Sequence, residues 1–62
     1  MYKYTFLIEY YNEFIDVSTT KFITIASKYY IDAWPKAFEK ALAECGENLQ
    51  GISFLKVEGV KL

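Results

Sequence analysis

The chain has no histidine, no arginine and only one cysteine. Each absence removes a class of function. Without histidine there is no side chain whose ordinary pKa lies near neutrality, and general acid–base catalysis loses its commonest agent. One cysteine among carboxylates makes a poor zinc shell, so neither a metal nor any other cofactor is expected. Cys45 has no partner for an internal disulfide. A lone thiol without a recognisable export signal points to a reducing cytoplasm. The opening MYKYTFLIEYY is apolar but alternates and lacks a cleavage site, so it does not read as a signal peptide. No run approaches the roughly 18 apolar residues of a membrane span, and no membrane partner is expected.

Arginine is the usual residue for bidentate phosphate and guanine contacts. Here those contacts would fall to seven lysines spread among eight acids, for a net charge of −1. Nucleic acid is therefore the less favoured partner. The three glycines, at 46, 51 and 59, form no phosphate loop. Glu9, Glu13 and Asp16 read as solvated loop acids rather than a catalytic pair, and no enzyme is expected. Cys45 lies near a helix C-terminus, where the dipole disfavours a thiolate, and reads as a core residue.

Aromatic residues are what the chain does have: six Tyr, five Phe and one Trp. They matter because 62 residues make one small domain. Such a chain buries only about 60% of its unfolded surface, and roughly 3–5 kcal/mol of net stability is the expectation. Large rings fill a small core, and those left outside favour association.

One segment carries a sustained helical period. Trp34, Ala37, Phe38, Ala41, Leu42 and Cys45 recur at i, i+3, i+4, i+7, i+8 and i+11, one apolar stripe. Lys36, Glu39, Lys40, Glu44 and Glu47 take the other face. The pattern predicts a helix from about Ala33 to Cys45, with one more turn before it as an option, ended by Gly46 in the left-handed conformation. Its cap is either Ser27 or Asp32. An Asp32 cap places Pro35 in the first turn, where its missing N–H costs nothing.

Tyr2 to Tyr11 alternates as a strand, with Tyr2, Tyr4, Phe6, Ile8 and Tyr10 toward the core. A hairpin tip follows somewhere in Asn12–Ser18. Thr19 to Ala26 is a second strand, with Phe22 and Ala26 on one face and Ile23 and Ile25 on the other. After a turn at Glu47–Gly51, Ile52 to Leu62 is a third, with Gly59 at a bulge or frayed end. The order β-β-α-β implies an α+β fold in one domain. Its antiparallel three-stranded sheet has order 2-1-3, with the helix packed on one face. The other face has no cover. Leu7, Ile23, Ile25, Leu55 and Val57 are expected to line it as a protein interface, with Tyr11 and Tyr29 as further contact residues. Trp34 and one of Tyr29 and Tyr30 are expected to close one end of the core.

The segment FITIASKYYIDAWPKAFEKALAE, Phe22 to Glu44, resembles short uncharacterised proteins encoded by bacteriophages and prophages. In these a strand ends in Ala-Ser, a Tyr-rich turn follows, and a helix carries Ala-Trp and spaced alanines. The matching positions are Ala26, Ser27, Tyr29, Tyr30, Ala33, Trp34, Ala37 and Ala41, and Pro35 departs from the pattern. The resemblance implies a phage or mobile-element origin and work inside the host cell, without implying an activity. The expected function is contact with a host protein, as an inhibitor of a host or defence factor, or with a second copy as a homodimer. The alternative is a nucleic-acid module using Lys3, Lys21, Lys28 and Lys56 with exposed tyrosines.

Overall fold

Asn12 builds the first turn. Its side-chain Oδ1 accepts from the Phe14 N–H at 3.0 Å, and its carbonyl accepts from Ile15 and Asp16 at 3.3 and 2.8 Å. Asp16 takes φ 57°, a region that Asp enters more readily than most residues. The Tyr11 hydroxyl donates to its carboxylate across the turn. This tight four-residue turn joins β1 (Tyr2–Asn12) to β2 (Val17–Ser27). In this computed structural model, which describes residues 1–59, α1 (Tyr30–Cys45), a 3₁₀ turn (Gly46–Asn48) and β3 (Leu49–Gly59) follow. The last three residues of the expected third strand, Val60 to Leu62, lie outside the described residues.

The sheet is antiparallel with order β2-β1-β3, and the helix packs on one face. The α+β architecture is as the residue pattern implies. The core forms from Tyr4, Phe6 and Ile8 of β1, Ile23 and Ile25 of β2, and Ala33, Ala37 and Ala41 of the helix. Three alanines four apart let the helix backbone approach the sheet closely, and the large rings of β1 fill the space beneath. Phe6 meets Trp34 edge-on at 4.9 Å between ring centroids, and Tyr30 meets Phe54 at 5.0 Å. Trp34 and Tyr30 thus sit together at one end of the core, and Tyr29 is the tyrosine left outside. The buried Tyr4 phenol is pushed above its ordinary pKa, chiefly by loss of water.

The helix begins one turn before Ala33. Neither candidate cap serves: Tyr29 holds the cap position without a side-chain hydrogen bond. The Ser27 hydroxyl donates instead to the Tyr29 carbonyl at 2.9 Å, and Asp32 lies inside the first turn, where its charge suits the dipole. Pro35 therefore sits past the first turn and removes one ladder bond. Gly46 closes the helix with φ 59° and ψ −136°, its N–H donating to the Leu42 carbonyl. The φ is positive as expected, but ψ lies outside the left-handed helical region.

Two irregularities shape β3. Its pairing with β1 shifts by one residue between Thr5 and Phe6 and again between Glu9 and Tyr10. The first leaves Leu55 as an extra residue, a bulge. Gly59, expected at a bulge or a frayed end, is the last residue of β3 and pairs with Tyr2.

Candidate protein interface

The register decides which side chains reach the uncovered face. Asn12 pairs with Val17, so every even residue of β1 opposes an odd residue of β2. Phe6 opposes Ile23 and Tyr4 opposes Ile25, all on the helix side. The expectation that Ile23 and Ile25 line the open face is therefore wrong: they are 4% and 9% exposed, in the core. Leu7, Tyr11 and Phe22 hold the open face, with Phe22 directly opposite Leu7.

On β3 the bulge inverts the parity. Phe54 pairs with Phe6, but beyond Leu55 it is Val57 that pairs with Tyr4. Val57 therefore lies on the helix side, half exposed near the strand end, and not on the open face. Leu55 is turned to the open face, where it shares a shallow depression with Lys3, Thr5, Phe22, Thr24 and Lys56. Phe22 is 65% exposed, and Leu55 is 50% exposed. The apolar members of the face are thus Leu7, Phe22 and Leu55. Tyr11 is half-buried at the hairpin end and tied to Asp16. Tyr29 belongs to the β2–α1 connection, away from the sheet face, with the Lys28 ammonium 5.6 Å from its ring centre.

The open face carries Lys3, Glu9, Lys56 and Glu58, and one ion pair forms among them. Lys56 meets Glu58 at 3.0 Å, and that hydrogen bond holds the Glu58 carboxyl below its usual range. Lys21 is on the helix side, 2.7 Å from Glu44 and 5.7 Å from the Tyr10 ring centre. The four lysines of the nucleic-acid reading therefore do not converge: Lys3 and Lys56 share the open face, Lys21 lies on the other, and Lys28 is in a connection. Among the described residues no three His, Cys, Asp or Glu side chains are grouped to hold a metal ion, and no helix is long and apolar enough to cross a membrane.

No protein-family model, no curated protein and no solved structure matches the chain.

Proposed function

We propose that this is a non-enzymatic accessory protein of a phage or mobile element that acts in the host cytoplasm by binding a host protein, one form of which is inhibition of a host or defence factor. The observation that supports the binding surface is the cross-strand pair Leu7–Phe22, with Leu55 beside it, on a sheet face without cover among the described residues. Exposed aromatic and aliphatic side chains grouped on a rigid face are how protein interfaces are anchored.

The test compares the wild-type chain with Phe22→Asp. A host protein captured by the wild type is identified, purified and titrated against both. Loss of affinity in a folded Phe22→Asp supports the open face. Undiminished affinity sinks it. Titration with single- and double-stranded oligonucleotides at two salt concentrations separates the alternative, because phosphate contacts weaken steeply with salt.

A further inference from the structure

The end of the β1–β2 hairpin holds its side chains in a fixed array. Asn12 ties down the Phe14, Ile15 and Asp16 amides, and the Tyr11 hydroxyl donates to Asp16. Phe14 is nevertheless 93% exposed, more than any other large apolar side chain among the described residues. It forms one wall of an open cleft of about 370 Å³ that Tyr10, Tyr11, Glu13, Lys21 and Glu44 also line. Three aromatic rings and two carboxylates thus border one space. The charges there do not cancel. Lys21 neutralises Glu44 at 2.7 Å, and Glu13 has no ion-pair partner among the described residues. One cation already uses these surroundings: the Lys21 ammonium lies 5.7 Å from the Tyr10 ring centre while it bonds to Glu44. That leaves the Phe14 and Tyr11 rings and the Glu13 carboxylate.

We propose that this cleft receives an arginine side chain of a partner protein, its guanidinium against the Phe14 and Tyr11 rings and beside the Glu13 carboxylate. The proposal rests on the reading that the chain works by protein contact, and it adds a second point of contact at the hairpin end. Charge selects the occupant. The lining carries two carboxylates against one ammonium, which favours a cation and disfavours an anion. The rings select among cations. A planar guanidinium stacks on aromatic faces while its fork bonds a carboxylate, and it is more weakly hydrated than an ammonium. The chain itself contains no arginine, so a second copy cannot supply the group and it comes from a different protein. The turn's own hydrogen bonds hold the tip in place before binding, so little ordering cost remains when the guanidinium enters.

The experiment titrates N-acetyl-argininamide into the isotope-labelled chain and reads amide shifts by NMR. N-acetyl-citrullinamide, which puts a neutral urea of the same shape in place of the guanidinium, is the comparison. The arginine probe is expected to give saturable shifts in the millimolar range at Tyr10–Phe14 and Lys21, and the citrulline probe none that saturate. Glu13→Gln and Phe14→Ala are each expected to raise the dissociation constant about two- to fivefold. Glu39→Gln, which removes an exposed acid of the helix, leaves it unchanged. Shifts that never saturate overturn the proposal, as does equal binding of the two probes or saturable binding centred elsewhere on the surface. So does wild-type affinity in both Glu13→Gln and Phe14→Ala. The comparison of probes uses the wild type alone, so it stands even if a variant does not fold. A failure here leaves the open face to its own test with Phe22→Asp.

Discussion

Phe6 and Ile23 face each other across the β1–β2 ladder, and both are sealed beneath the helix. The neighbouring pair, Leu7 and Phe22, points the opposite way, with Phe22 exposed and Leu7 half-buried. One residue of register separates a core position from a surface one. Ile23→Asp buries an unpaired carboxylate in this core. Such a charge costs several kcal/mol, which a domain with roughly 3–5 kcal/mol in hand does not withstand. Ile23→Asp is expected to be unfolded at 25 °C by circular dichroism, whereas Phe22→Asp keeps the native spectrum. A native spectrum and wild-type urea midpoint for Ile23→Asp would show that the face assignment is wrong.

Ala37 is fully buried in the core face of the helix, between Ala33 and Ala41. A larger side chain there pushes the helix away from the sheet. Ala37→Leu is expected to cost about 1–3 kcal/mol by overpacking despite its greater hydrophobicity. Ala43 is exposed on the same helix, and Ala43→Leu is expected to stay within about 0.5 kcal/mol of wild type. Urea unfolding of the two variants gives the comparison. Equal stabilities would mean that the alanine line is not a close contact.

Much of this fold is legible in the residues. Alternation in Tyr2–Tyr11, a single helical stripe and Gly46 behind it suffice for the element order and the 2-1-3 sheet. The faces of β2 and β3 were less legible, for two physical reasons. The parity of β2 depends on the number of residues in the turn, which Asn12 and Asp16 set by local hydrogen bonding. A strand apolar on both faces, such as Phe22–Ile25, gives no pattern to decide it. The parity of β3 depends on the bulge at Leu55, for which no glycine or proline stands as a marker. The helix stripe was right in position but too wide for its cover. Half of it faces the sheet and half lies beside it.

Gly46 and Gly51 separate backbone strain from steric crowding. A Cβ at either position meets nothing within 4 Å, but only Gly46 has a positive φ, 59°. Gly46→Ala is thus expected to cost about 1–3 kcal/mol through the backbone alone. Gly51→Ala is expected to be neutral or to gain a few tenths of a kcal/mol from a less flexible unfolded chain. Thermal melts of the two variants make the comparison. Equal stabilities would mean that the helix end relaxes out of this conformation without loss.

The Lys21–Glu44 pair joins the β2 edge to the last turn of the helix, and it makes stability depend on pH at both extremes. The Lys21 hydrogen bond holds the Glu44 carboxyl below its usual range, with Lys40 helping. The same bond holds the Lys21 ammonium above its usual range. Unfolding returns both to ordinary values, about 4.3 and 10.4. A depressed carboxyl pKa gives stability that is complete above the unfolded value and is lost as pH falls through the folded one. A raised ammonium pKa gives stability that is complete below the unfolded value and is lost as pH rises through the folded one. The difference in Tm between wild type and Glu44→Gln is therefore expected to form a plateau from about pH 5 to pH 10, closing on both sides. High salt flattens it, because both side chains reach solvent. A difference that persists unchanged at pH 2 would show that Glu44 acts through packing and not through its charge.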